Sequence, residues 1–188
     1  MNARHLEYCA GPEWAETVRV HVIPGATAGI DLGEHILEAG PGPGLTTDIL
    51  CTMARKLTAV EIDEDLARQL SERFAGSNVS VHCGDATAMP FPDGHFSAAI
   101  CLTMLHHLPD EASQDRLFAE LNRVVREGGP IIGSDSLDSP DFRVFHEGDT
   151  CTPIDPATLA ARLTGAGLTD VAVETNPYSV KFVAQAGG

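Results

Sequence analysis

HILEAGPGPG, residues 35–44, is the stretch of sequence that decides the fold. A short strand-like run with an acid near its end is followed by three glycines that alternate with two prolines. Glycine has no Cβ and adopts positive φ at little cost, so such a turn lets bare backbone approach a ligand. Residues that form helices well come next. The stretch therefore predicts a strand, a ligand-binding turn and a helix, in that order.

A second strand with an acidic end follows this turn. The run LTAVEID at 57–63 places Glu61 seventeen residues after Gly44. A carboxylate at the end of the second strand can accept both hydrogen bonds of a ribose diol, so we assign Glu61 to that contact. Asp63 is the alternative, although its position favours a role as the N-cap of the next helix. The glycine turn and the acid together predict a nucleoside pocket.

The glycine spacing indicates which kind of nucleoside ligand is bound. The dinucleotide fingerprint is Gly-x-Gly-x-x-Gly, which directs a helix N-terminus at a pyrophosphate. Here the spacing is Gly-x-Gly-x-Gly, and the two intervening prolines remove backbone N–H donors that a phosphate would need. A positively charged ligand suits this turn better, and Glu38 is placed to face an ammonium group. The three glycines predicted to contact the ligand are Gly40, Gly42 and Gly44.

Apolar runs alternate with helical patterns along the chain, which predicts an α/β fold with a mainly parallel sheet. Asn176-Pro177 joins the last two runs tightly and predicts an antiparallel hairpin. The first 30 residues are less regular and are expected to form helices over the mouth of the predicted ligand site. The predicted strands are 35–39, 57–62, 79–83, 96–102, 130–134, 168–175 and 178–184. The clearest predicted helices are 46–56, 111–126 and one capped by Asp155, and 135–154 is predicted to be a polar loop.

Size and composition agree with a single domain over residues 1–188. Hydrophobic residues make up 43% of the 188 residues, which is typical of a globular domain. Apolar runs are shorter than the roughly 20 residues needed to cross a bilayer, so we expect no membrane partner. The five cysteines are widely spaced and form no Cys-x-x-Cys pair, which favours reduced thiols and a cytoplasmic location.

The chain is strongly acidic. Its formal net charge is −15, from 27 Asp and Glu against 12 Lys and Arg. A nucleic-acid backbone would be repelled by this balance, and no basic cluster stands out in the sequence. We therefore expect no nucleic-acid partner, and a surface kept soluble by its acids is the other explanation of this charge.

Several segments together resemble the class I S-adenosylmethionine-dependent methyltransferases of the small-molecule type. They are "EAGPGPG", "AVEID", Gly84-Asp85-Ala86, "FSAAICLTMLHHL" and "REGGPIIGSD". This resemblance implies a Rossmann-like three-layer sandwich whose seven-stranded sheet is parallel except for an antiparallel last strand. It also implies S-adenosyl-L-methionine as the cofactor and methyl transfer to a small molecule as the activity.

The resemblance also implies roles for individual residues. Asp85 would accept a hydrogen bond from the adenine amino group, with the N–H of Ala86 meeting the ring. The alternative role for Asp85 is an Asx-turn after Gly84. Cys101, Leu102 and Thr103 would line the region of the methionine and sulfonium groups through their backbone. The predicted cofactor-binding residues are Glu38, Gly40, Gly42, Gly44, Glu61, Ile62, Gly84, Asp85, Ala86, Cys101 and Leu102.

His106 and His107 are the candidates for a general base, because histidine titrates near neutrality. Core packing and solvent exposure are the alternative roles for these two residues. We predict no metal site, because adjacent histidines lack the i, i+4 spacing of helical ligands and the sequence places no third ligand. Candidates for the acceptor pocket are Tyr8, Trp14, Asp135, Phe142, Phe145 and His146.

Three other functions stay open at this point. A ribosomal-RNA adenine dimethyltransferase starts similarly, but it carries an Asn-[Leu/Ile]-Pro-[Tyr/Phe] motif where this chain has CLTM at 101–104. An NAD(P)-dependent oxidoreductase would need the other glycine spacing and a Tyr-x-x-x-Lys dyad. A non-catalytic adenosyl-ligand-binding protein would keep the fold without the chemistry.

Overall fold

The computed structural model describes residues 2–188. The strands are β1 (His35–Ala39), β2 (Lys56–Glu61), β3 (Val79–Cys83), β4 (Ala98–Leu102), β5 (Pro130–Ser136), β6 (Thr169–Thr175) and β7 (Ser179–Gln185). The α-helices are α1 (Ala3–Cys9), α2 (Pro12–Thr17), α3 (Ile23–Thr27), α4 (Thr47–Leu50), α5 (Glu64–Arg73), α6 (Glu111–Val124), α7 (Pro140–Phe145) and α8 (Pro156–Gly165). A π-helical turn at Val18–Val22 joins α2 to α3, and a 3₁₀ turn covers Leu105–His107.

The strands form one sheet in the order β3-β2-β1-β4-β5-β7-β6. β1 to β5 pair in parallel, and β7 runs antiparallel to both β5 and β6. This arrangement confirms the predicted fold class, including the hairpin at Asn176-Pro177 and the antiparallel last strand. The strand order reverses between β1 and β4, and open α/β sheets bind ligands beside such a switch point.

Helices cover both faces of the sheet. On one face the apolar side of α6 packs with α8, and Leu117, Phe118 and Leu121 are fully buried there. On the other face Val18 and Ile23 pack with α4 residues against Ile36 of β1. Parallel strands covered on both faces are continuously apolar, and β4 is buried at every position.

The helix boundaries follow from local chemistry. Asp110 accepts from the N–H of Ser113 and begins α6, and Asp63 accepts from two N–H groups and begins α5. Asp155 caps α8 as predicted. Among residues 2–188, none of the helices combines the length and apolar character needed to cross a membrane.

Two predictions about secondary structure were wrong. The helix predicted at 46–56 ends at Leu50, because the side chain of Asn78 donates to the carbonyls of Cys51 and Ala54 and holds that segment in turns. The loop predicted at 135–154 contains the end of β5 and all of α7. Ser139 caps α7 with Pro140 at its first position, and both are helix-start signals in the sequence.

Candidate functional site

A cavity of about 680 Å³ opens at the carboxyl ends of β1, β2 and β4. The glycine turn forms one wall, and the start of α5 forms a second wall. Residues from α1 and α2 reach the cavity from above, including Leu6, Cys9 and Trp14. The cavity therefore lies at the sheet edge that the strand order selects for ligand binding.

The glycine turn needs glycine at its three predicted positions. Gly40, Gly42 and Gly44 have φ of 68°, 55° and 84°. A Cβ on Gly40 would lie 2.8 Å from the Cβ of Met104, and one on Gly44 would lie 2.3 Å from a methyl group of Leu70. Backbone from the turn thus packs directly against neighbouring segments, and Gly40 and Gly42 line the cavity.

Glu38 lies behind this turn and is not among the residues that line the cavity. Its carboxylate accepts hydrogen bonds from the hydroxyls of Thr46 and Thr47, and the Thr47 bond is 2.7 Å long. Burial raises the pKa of Glu38 from 4.5 to about 7, although the two hydroxyl bonds oppose this. The side chain ties β1 to the start of α4, so it fixes the shape of the turn. A contact between Glu38 and an ammonium group stays a prediction.

Glu61 has the geometry expected of a ribose ligand. It lines the cavity and is only 6% exposed. Its Oε2 accepts from the N–H of Gly42 at 2.9 Å, and its Oε1 accepts from the N–H of Asp63 at 3.0 Å. These two bonds orient the carboxylate, and each oxygen keeps a further lone pair for a diol. Ile62, which is 71% exposed, lies beside it in the cavity wall.

The Gly84-Asp85-Ala86 segment is not brought into the cavity lining. Asp85 is exposed, and its side chain accepts from the N–H of Thr87 at 2.8 Å in the alternative Asx-turn. Ala86 is buried in the core together with Met89. Adenine contacts for this segment stay a prediction. Asp65, Leu66 and Gln69 of α5 line the cavity instead, and none of the three is among the predicted site residues.

At the end of β4, Cys101 is fully buried among core side chains while Leu102 reaches the cavity. The next residue, Thr103, has φ of 52°, which is unusual for a β-branched residue. Its N–H donates to the carbonyl of Ser134 at 2.7 Å, which holds this conformation. Strained residues persist only where the surrounding structure maintains them, and they cluster at functional sites.

The two candidate bases occupy different environments. His107 lines the cavity, but burial and neighbouring histidines lower its pKa to about 3. His106 is 2% exposed and is not in the lining, and its Nδ1 lies 2.6 Å from Oδ1 of Asp135. His107 alone therefore borders the predicted cofactor space, in a form that is neutral and weakly basic.

A second cavity of about 500 Å³ adjoins the first. Trp14 and Thr103 line both cavities. The second cavity is bounded by residues of the N-terminal helices, the end of β5 and the β6–β7 hairpin, and its polar lining includes Asp135, Glu174 and Lys181. Two of the predicted acceptor-pocket residues, Trp14 and Asp135, therefore lie in this cavity.

Residues 37–133, just over half of the chain, match the family described as a methyltransferase domain. The chain belongs to the class I S-adenosylmethionine-dependent methyltransferase family. A probable S-adenosylmethionine-dependent methyltransferase of Mycolicibacterium smegmatis is 28% identical over 149 residues, which are 79% of this chain and 53% of that protein. A probable ribosomal RNA small subunit methyltransferase A of Haloarcula marismortui is 38% identical over 109 residues, 56% of this chain and 34% of that protein. The methyltransferase chain thus spans about half, or less, of these curated relatives.

A solved structure, described as a DhpI–SAH complex, shares the fold of this methyltransferase. Its TM-score is 0.75 at 20% sequence identity, and the match covers 98% of this chain and 92% of that chain. The class I S-adenosylmethionine-dependent methyltransferase family and the fold predicted from the sequence are both confirmed, and the small-molecule type stays a prediction.

Proposed function

We propose that this chain transfers the methyl group of S-adenosylmethionine to a small-molecule acceptor. The observation that carries the proposal is the pair of adjoining cavities that share Thr103 and Trp14. The first cavity would hold the cofactor and the second the acceptor. The reacting atoms would then meet beside Thr103.

The residues of the first cavity fit the cofactor. Gly40 and Gly42 present backbone without side chains to the cavity, and the oriented carboxylate of Glu61 suits a ribose diol. Pro41 and Pro43 donate no N–H groups to the turn, and α4 begins only at Thr47 and has four residues. This site is therefore poorly suited to a pyrophosphate, which argues against the NAD(P) alternative.

When bound, S-adenosylmethionine supplies an already activated methyl group. The protein then contributes alignment of the two reactants and exclusion of water. Leu6, Cys9 and Trp14 would provide that exclusion, with α1 and α2 as a cover over the cofactor. His107 is the cavity-lining candidate for proton removal, but its neutral, weakly basic ring favours catalysis by alignment.

A small acceptor is supported by the size and charge of the second cavity. A space of about 500 Å³ suits a metabolite. Carboxylates surround both cavities, from Glu61 and Asp63 in the first to Glu174 in the second. With a net charge of −15, this surface would repel an RNA backbone. The RNA alternative is kept because of the relative named for ribosomal RNA methylation.

Cofactor binding is tested by calorimetric titration of S-adenosylmethionine into wild type, Glu61→Gln and Glu64→Gln. Glu64 is exposed, carries the same charge and does not line the cavity. Hydrogen bonds to a charged group contribute about 1.5–3 kcal/mol, so we expect Glu61→Gln to weaken binding at least about tenfold. Glu64→Gln should bind like wild type. An equal loss of affinity in both variants would assign the effect to charge alone. Absence of binding by wild type would refute the assignment of the first cavity to the cofactor.

The acceptor is tested with cofactor labelled on the methyl group. Turnover is measured on a metabolite panel and, separately, on total RNA. Label in a small-molecule product supports the proposal. Label only in RNA would refute the small-molecule acceptor, and cofactor binding without transfer to either pool would favour the non-catalytic alternative.

A further inference from the structure

Four histidines from three distant segments meet beside the first cavity. His5 lies on α1, His106 and His107 lie in the 3₁₀ turn after β4, and His146 follows α7. One ring nitrogen from each lies within 4.8 Å of the others. The sequence predicts no metal site, because the adjacent histidines lack the i, i+4 spacing of helical ligands and no motif places a third ligand.

The rings of this four-histidine cluster are packed tightly and are largely removed from solvent. His5, His106 and His146 are 5%, 2% and 3% exposed. The ring centroids of His106 and His107 are 4.1 Å apart, and those of His5 and His146 are 4.5 Å apart. Four polar rings in so small a volume need partners for their nitrogens.

Each ring has a buried nitrogen without a hydrogen-bond partner within the described part of the chain. These atoms are Nδ1 of His5 and Nε2 of His106, His107 and His146. A buried polar atom without a partner lowers stability, and four such atoms at one place are unusual in a folded protein. A single bound cation would satisfy all four lone pairs at once.

Hydrogen bonds on the far side of two rings set their tautomers. Nδ1 of His146 lies 2.7 Å from the carbonyl oxygen of Phe142, which can only accept. Nδ1 of His106 lies 2.6 Å from Oδ1 of Asp135, whose other oxygen accepts from the backbone N–H of His106. Both rings therefore carry hydrogen on Nδ1 and direct the Nε2 lone pair into the cluster. Carboxylate and carbonyl partners of this kind orient histidine ligands in metal sites.

The charges around the cluster also suit a bound cation. The carboxylates of Asp135 and Asp149 lie next to the cluster, with Asp149 Oδ2 3.7 Å from Nδ1 of His5. They would offset part of the charge of a divalent ion.

We propose that His5, His106, His107 and His146 bind one divalent transition-metal ion of the zinc type. Imidazole ligands suit Zn²⁺, Cu²⁺, Ni²⁺ and Fe²⁺, whereas Mg²⁺ and Ca²⁺ prefer oxygen. Four protein ligands make a closed, structural site rather than one with an open position for catalysis. A tetrahedral ion with bonds of about 2.0–2.1 Å holds its ligand nitrogens roughly 3.4 Å apart, so the cluster needs a modest contraction from its 4.8 Å span.

Such an ion would add a link between three segments of the fold that are distant in sequence. It would fasten α1 and the end of α7 to the segment after β4. His107 belongs to both the cluster and the cofactor cavity. The ion would therefore fix one wall of that cavity and hold the N-terminal cover in place.

The test uses the full chain without a histidine tag, stripped with a chelator and titrated with Co²⁺. We expect one equivalent to give the visible absorption of four-coordinate Co²⁺, and Zn²⁺ to displace it. Saturation with Zn²⁺ at about a hundredfold excess over Kd should raise the Tm by roughly 5–10 °C. Methyl transfer is not needed for these readouts, so their failure is distinct from failure of the proposed function.

Variants distinguish this site from adventitious binding. His146→Gln should weaken Co²⁺ binding and change the spectrum, because water would have to replace the lost ligand, and the exposed His95→Gln is the matched control that should keep both unchanged. Asp135→Asn keeps all four histidines and should lower the affinity for the metal about 10–100-fold. This variant still tests the site if His146→Gln does not fold. The proposal would be overturned by absence of stoichiometric binding, or by binding that persists unchanged in His146→Gln and Asp135→Asn. The cluster would then be a metal-free packing of neutral imidazoles.

Discussion

Glu38→Gln should change how stability depends on pH. Glutamine has the shape of a protonated glutamic acid and can keep hydrogen bonds to Thr46 and Thr47. Wild type must either bury a carboxylate at this position or bind a proton there. Glutamine does not ionise, so the difference in stability between the two proteins isolates the ionisation of Glu38.

The expected magnitude follows from the pKa. Burial raises it from 4.5 to about 7, and one pKa unit corresponds to about 1.36 kcal/mol, so the effect is about 3 kcal/mol. Between these two values the folded protein binds more protons at Glu38 than the unfolded chain does. The contribution of this group to wild-type stability is therefore complete below about pH 4.5, is lost as pH rises toward 7, and levels off above it.

The assay is urea unfolding of both proteins at several pH values from 4 to 9. His5 and His107 have lowered pKa values and give the opposite trend below pH 6.5, but they are present in both proteins and cancel in the difference. We expect the free energy of unfolding of Glu38→Gln to gain about 3 kcal/mol on wild type across this range. The exposed Glu34→Gln serves as control and should show a flat difference. A flat difference for Glu38→Gln as well would refute the buried-acid reasoning.

Two further substitutions test the turn and the core. Gly40→Ala should weaken S-adenosylmethionine binding at least about tenfold by calorimetry, because its Cβ would clash with Met104. Gly29→Ala is the control and should bind like wild type. Gly29 has a similar φ, 74° against 68° for Gly40, but has open space around it. Equal affinity in both would contradict the close-approach argument. In urea titrations, Leu121→Ala should lower the free energy of unfolding by about 2–5 kcal/mol, because Leu121 is fully buried. Met53 is 39% exposed, so Met53→Ala should change the free energy of unfolding by less than about 0.5 kcal/mol. A similar cost at both positions would be inconsistent with the assigned core.

Features defined by neighbouring residues could be predicted from the sequence. β1 and β3 have the predicted bounds, because apolar runs end at turn residues there. Glu61 is oriented into the cavity as its position at the end of β2 predicted. α4 is shorter than predicted because the shortening depends on Asn78, a residue that is distant in sequence.

The residues around the site were harder to predict, since they depend on how separate segments pack. Asp85 is in an Asx-turn in this structure rather than in the cavity lining. The four-histidine cluster joins α1, the turn after β4 and the end of α7, and no spacing rule relates those positions. The N-cap and proline at Ser139-Pro140, by contrast, were readable signals of α7 that the loop assignment overlooked.

The position of β7 has a consequence for how the chain reaches its native state. β7 is the last strand in sequence, yet it lies between β5 and β6 and is the neighbour that joins β6 to the sheet. Biosynthesis must therefore reach about residue 185 before β6 can be incorporated, however early the first five strands assemble. Contacts between distant segments slow folding, so we expect docking of the β6–β7 hairpin onto β5 to be a late event. Until then the nascent chain exposes the unpaired edge of β5.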